Sequence, residues 1–96
     1  MVTVWSKKAQ AQLQKAFNFI KQDSLQNAEK VRDEIIDLTI DLALYPERYP
    51  LDKYKTDNDG SYRAFELHRF RVSYRITKDA IRIVRMRHTS MSPLTF

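Results

Sequence analysis

The feature that most constrains this chain is a change of hydrophobic period near residue 62. Before it, apolar residues recur every three or four positions; after it, every second position. Ala9, Leu13, Ala16, Phe17 and Ile20 follow Ser6, an N-cap residue, and predict a helix over about 7–22. Asp23-Ser24 breaks it and caps a second helix, whose stripe runs Ala28, Val31, Ile35, Leu38, Leu42. Ile36, Ile40 and Ala43 widen that stripe, so more than one neighbour is expected to pack on it. The second helix should end near Leu44-Tyr45, because Pro46 disfavours helix at the residue before it. The short connection makes the two helices an antiparallel hairpin.

Val2-Thr-Val-Trp5 reads as a short strand ahead of the helices. Residues 46–61, punctuated by Pro46, Pro50 and Asn58-Asp59-Gly60, read as a loop, long enough to carry function. Strands are expected at about 62–67, 70–77 and 80–88, with two-residue turns at His68-Arg69 and Lys78-Asp79. The fold class is therefore α+β: an N-terminal strand, then an antiparallel helical hairpin packed on one face of an antiparallel sheet with a C-terminal three-stranded meander. Residues 1–96 read as one domain, and a chain of this length buries roughly 65% of its unfolded surface.

Two-residue turns fix the register. Phe65, Leu67, Phe70, Val72, Tyr74, Ile76, Ile81 and Ile83 then share a core face. Glu66, Arg71, Ser73, Arg75, Arg82, Val84, Met86 and His88 share an open one. Arg75 lies directly across from Arg82, an unfavourable pair unless it grips a phosphate or carboxylate. The same register puts Arg85 and Arg87 on the core face, which requires a bulge rotating the strand end or a sheet that outruns the helices.

Charge sharpens the functional reading. Residues 1–48 hold seven Lys/Arg and seven Asp/Glu, whereas residues 49–96 hold ten and five, so the whole net charge of +5 lies in the second half. That asymmetry suits an anionic partner, although solubility charge is the plainer reading. Arg63, Arg71, Arg75, Arg82, Arg85 and Arg87 are the candidate target-binding residues. Arg71 also reads simply as the cross-strand partner of Glu66, and His68 as a solvated turn residue. If the chain is an enzyme, Arg71 and His88 are the catalytic candidates, supporting phosphodiester cleavage by acid–base and electrostatic help.

Other chemistries are excluded by what is missing. Zero Cys removes disulfides, thiolate metal sites and a thiol nucleophile, and fits a reducing, cytoplasmic setting. There is no P-loop, no His-Glu-x-x-His and no Gly-x-Ser-x-Gly, so no cofactor or metal is expected. The opening residues do not read as a signal peptide, and no apolar run approaches the ~18 residues of a membrane span.

The pattern resembles the RelE/ParE superfamily of bacterial type II toxins, also known as plasmid stabilisation proteins. Val4-Trp5-Ser6 with Ala9 and Leu13 is similar to its opening, and Asp41-Leu-Ala-Leu-Tyr-Pro46 to its second helix end. Phe70-Arg71-Val-Ser-Tyr-Arg75-Ile76 is similar to its hallmark strand, and Ile81-Arg-Ile-Val-Arg-Met-Arg-His88 to its last strand. The resemblance implies a toxin neutralised by an acidic antitoxin in a hetero-oligomer, acting either on DNA gyrase or on messenger RNA at the ribosome. Arg71 matches the central arginine of the messenger cleavers. Their paired lysines fall on Ala64 and Glu66, or on Arg63 and Phe65 after a shift of one; their later arginine falls near Met91; and their catalytic tyrosine has no counterpart, Phe96 lacking a hydroxyl. These departures imply the gyrase-inhibiting, ParE-like branch. The alternatives are a ribosome-dependent endoribonuclease using Arg71 and His88 with Arg63 or Arg75, and a basic nucleic-acid-binding module with no toxin role.

Overall fold

The computed structural model describes residues 1–92 and 94–96. Strand β1 (Val2–Trp5) leads into helices α1 (Lys7–Lys21) and α2 (Leu25–Asp41), followed by strands β2 (Tyr62–Leu67), β3 (Phe70–Ile76) and β4 (Ala80–His88). Both helices start on serine caps: Ser6 accepts from the Ala9 N–H and Ser24 from the Asn27 N–H. α2 stops earlier than its apolar stripe suggests. Ala43 and Leu44 N–H groups bond three residues back, tightening the chain into a turn before Pro46.

The sheet order is β1-β4-β3-β2. β2, β3 and β4 form the expected antiparallel meander, while β1 pairs parallel with β4, so the sheet is mixed. His68 and Arg69 have φ of 53° and 67°, the two left-handed residues of a type I′ hairpin turn. At the other hairpin the Thr77 hydroxyl donates to the Ala80 carbonyl and accepts its N–H, closing the turn.

The core lies between helices and sheet. Ala9, Ala16, Val31, Ile35 and Leu42 meet Phe65, Phe70, Val72, Tyr74, Ile81, Ile83 and Met86. The small side chains of Ala9 and Ala16 let α1 approach β4 closely. α2 differs in detail from its sequence pattern. Ile40 is 57% exposed, while Thr39 is fully buried. Its hydroxyl donates to the Ile36 carbonyl and accepts the Trp5 indole N–H, and its carbonyl accepts the Thr3 hydroxyl, tying β1 to the hairpin.

A β-bulge decides which residues face where. Tyr74 pairs with Ile83, but Ser73 pairs with Arg85, which leaves Val84 as the extra residue. Beyond Val84 every side chain of β4 changes face. Met86, expected on the open face, is buried in the core opposite Val72. His88, also expected there, instead pairs with Phe70 and meets its ring edge-on at 5.2 Å. Arg85 and Arg87 move the other way, joining Ser73 and Arg71.

The bulge has identifiable partners. β1 has ended by this point, so α1 takes over: the Ser6 hydroxyl donates to the Val84 carbonyl at 3.3 Å and Gln12 Oε1 accepts the Met86 N–H at 2.7 Å. Ser6 therefore serves as helix cap and bulge partner together. Ser6→Ala should destabilise the domain by about 1–2 kcal/mol. Chemical denaturation would check this, with Ser24→Ala, a cap without a bulge contact, as the smaller reference.

Residues 46–61 are less loop-like than expected. Pro50 and Asp52 exchange backbone bonds with Ala64 and Tyr62, and Leu51 bridges Arg63, which covers the β2 edge. Asn58 then closes a tight bend by accepting the Gly60 N–H, and Gly60 sits at φ 95°, where a side chain would be strained.

Candidate functional site: the arginine-rich sheet face

The sheet face away from the helices has two unlike halves. The first is covered. From the β2 edge the chain crosses over the sheet and lays Asp52 and Tyr54 against it. The segment that ends the described chain then docks alongside: Phe96 N–H bonds Tyr54 O at 3.0 Å, and Thr56 N–H bonds Phe96 O at 2.6 Å. Ser73 is 1% exposed and Arg85 7%, so this half is an interior.

Arg71 is the hub of the covered half. Its Nη2 meets Asp52 Oδ1 at 3.0 Å and its Nη1 meets Glu66 Oε2 at 3.2 Å, while its guanidinium lies over the Tyr54 ring. Asp52 Oδ1 also accepts the Tyr54 N–H at 3.0 Å. Burial alone would push the Asp52 carboxyl up. The Ser73 hydroxyl, the Tyr54 N–H and Arg71 outweigh it and hold the group below its ordinary value. Asp52 Oδ2 is buried and has no hydrogen-bond partner among the described residues.

Arg85 has no carboxylate of its own among the described residues. It donates to the Leu94 carbonyl and stacks 3.8 Å over the Phe96 ring. Burial pushes its guanidinium pKa down; the Asp52 charge opposes this, and Arg87 and Arg71 add to it. Arg87 donates to Ser92 O at 3.0 Å.

The second half is open to solvent. Arg75 stands directly opposite Arg82, as the hairpin register requires. Arg75 relieves the repulsion by leaning away: it stacks on Tyr62, donates to Ser61 Oγ and lies 3.8 Å from Asp59. Arg82 is exposed, makes no ion pair among the described residues, and is flanked by the exposed Val4 of β1.

The candidates therefore separate. Arg71, Arg85 and Arg87 come together in the covered half, and Arg75 and Arg82 in the open half. Arg63 lies apart from both. It pairs with Tyr74, faces the helix side, and donates to the Tyr49 carbonyl at 2.6 Å. His88 stands across from Phe70, with Nδ1 accepting the Ser90 N–H and lying 2.7 Å from Ser90 Oγ. An acceptor Nδ1 places the proton of the neutral ring on Nε2.

Sequence reasoning missed Asp52, Tyr54 and the covering role of Phe96. The only sequence signal for Asp52 is an acid between Leu51 and Tyr54 in the basic half. Among the described residues no group of three His, Cys, Asp or Glu could hold a metal ion, and no helix is long and apolar enough to cross a membrane.

The structure is a helical hairpin on one face of a four-stranded sheet, with arginines on the other face. The family model for the ParE toxin of type II toxin-antitoxin system, parDE, matches residues 3–93, and the chain belongs to that family. A solved structure, the chromosomal ParDE TA system from P. aeruginosa, has a TM-score of 0.71 over 92% of this chain and 95% of that one. At 19% identity that likeness shows a shared fold. No curated protein matches the sequence.

Proposed function

We propose that this toxin acts in the cytoplasm by binding gyrase rather than by cutting RNA, and that an acidic antitoxin neutralises it by occupying its basic surface. The observation that carries the reading is the division of the arginines. Arg71, which a cleaver would need free, is held by two carboxylates, Asp52 and Glu66. On the open half, Arg82 makes no ion pair among the described residues, and its cross-strand partners are Arg75 and Val4, neither a proton-transferring group near neutral pH. Such a face supports recognition of an anionic or acidic surface through Arg, which is enriched in binding hot spots.

The test is expression of the chain alone in bacteria, with soluble protein confirmed. Growth should arrest, and co-expression of an acidic antitoxin, if one is encoded beside this gene, should restore it. His88→Gln should leave the arrest nearly unchanged. A general acid or base contributes ~10²-fold or more, so loss of toxicity on that scale in His88→Gln would favour cleavage instead. Unimpaired growth would count against any toxin reading.

A further inference from the structure

We propose that the covered half of the sheet face contains a binding site for one phosphate-type group, formed by Arg85 and Arg87 over Ser73. The proposal concerns a ligand of the isolated chain and does not depend on which macromolecule the toxin targets.

Local charge favours an anion in this half. Three guanidinium groups, Arg71, Arg85 and Arg87, share this half with two carboxylates, Asp52 and Glu66. Arg71 pairs with both carboxylates, through Asp52 Oδ1 and Glu66 Oε2, while the Asp52 charge also acts on Arg85, so three cations face two anions. Among the described residues, Arg85 and Arg87 are met by the carbonyl oxygens of Leu94 and Ser92 and the face of Phe96, and neither forms an ion pair. A buried cation normally has an anion as partner, because dipoles alone repay little of its lost hydration. Here two neighbouring cations form no ion pair among the described residues.

Space and unused donors favour an anion as well. A cavity of about 80 Å³ is lined by Arg71, Ser73, Arg85, Arg87 and His88, with Glu66, held by Arg71, also in its wall. The Nε atoms of Arg71 and Arg87 are buried without hydrogen-bond partners among the described residues. Pockets for whole drug-sized ligands run from roughly 300 Å³ upward. The site therefore suits a single oxyanion, or the terminal phosphate of a larger molecule whose remainder stays outside. Planar guanidinium forks match the oxygens of such a group.

Inorganic phosphate and a nucleoside 5′-monophosphate present the same chemistry from two sources. The experiment is a titration of each into the purified full chain at constant ionic strength, following the Arg Nε–H signals by NMR, with acetate as control. Saturable shifts of the Arg85 and Arg87 signals with phosphate, smaller with acetate, are expected. Arg87→Gln, at a half-buried position, should weaken the binding about tenfold or more. Tighter binding of the monophosphate would assign the natural source to a phosphate ester, and equal binding to the free ion. The proposal is overturned if neither probe gives a saturable shift, if acetate binds as well as phosphate, or if Arg87→Gln binds unchanged.

Discussion

Asp52→Ala should destabilise the domain by about 3 kcal/mol, the low end for removing one partner of a buried ion pair. Asp52 is 2% exposed and holds Arg71, whose side chain is only 17% exposed. Without Asp52 the guanidinium keeps Glu66, which is itself more than half exposed and so a weaker partner. The Tyr54 N–H loses its acceptor as well. For a domain of this size the loss corresponds to a drop in Tm on the order of 15 °C. Replacing both partners with apolar residues, as in Asp52→Leu with Arg71→Met, should recover much of the loss, since an apolar pair leaves no stranded charge. A double variant no more stable than Asp52→Ala alone would show that the pair is not the source of the effect.

The same residue sets a pH dependence. A carboxyl held below its ordinary value stabilises the fold fully above the unfolded value of about 3.9. That contribution is lost as pH falls through the lower folded value. Asp59, held down by the Ser61 hydroxyl and N–H, acts in the same direction. The acid loss assigned to Asp52 is therefore the difference between wild type and Asp52→Ala. The two stability curves should run parallel near neutrality and converge below about pH 4.

The second large effect concerns the open half. Arg75→Gln with Arg82→Gln should reduce toxicity about tenfold or more, the scale of losing one or two arginine hot spots. The fold should survive and gain slightly, because like charges directly opposite are destabilising. Arg71 does not belong in such a variant. Removing it would strand Asp52 in the interior, and lost function would then report misfolding. A toxin of full potency with both residues replaced would move the working surface elsewhere, first to the 46–61 segment.

The strands, the helical hairpin and the Arg75–Arg82 pairing were legible in the sequence because period and two-residue turns are local signals. The faces of β4 beyond Val84 were not. The bulge at Val84 depends on Ser6 and Gln12, almost eighty residues away, filling in where β1 ends. Conflict between the regular register and two core-facing arginines pointed to an irregularity there but not to its place. The covered half was invisible for a similar reason. Asp52, Tyr54 and Phe96 meet the sheet only through contacts across the chain. An isolated acid or aromatic in a loop carries no periodic signature. Ile40 and Thr39 exchanged roles because the Trp5 indole N–H and the Ile36 carbonyl satisfy the buried Thr39 hydroxyl.

The central claim is that the chain is a binding toxin rather than a nuclease. It is tested most directly by a gyrase supercoiling assay run beside translation on purified ribosomes, using one preparation. The account predicts inhibited supercoiling, weakened in the Arg75→Gln/Arg82→Gln variant, with messenger RNA left intact. Clean messenger cleavage that disappears in His88→Gln, with supercoiling unaffected, would contradict it.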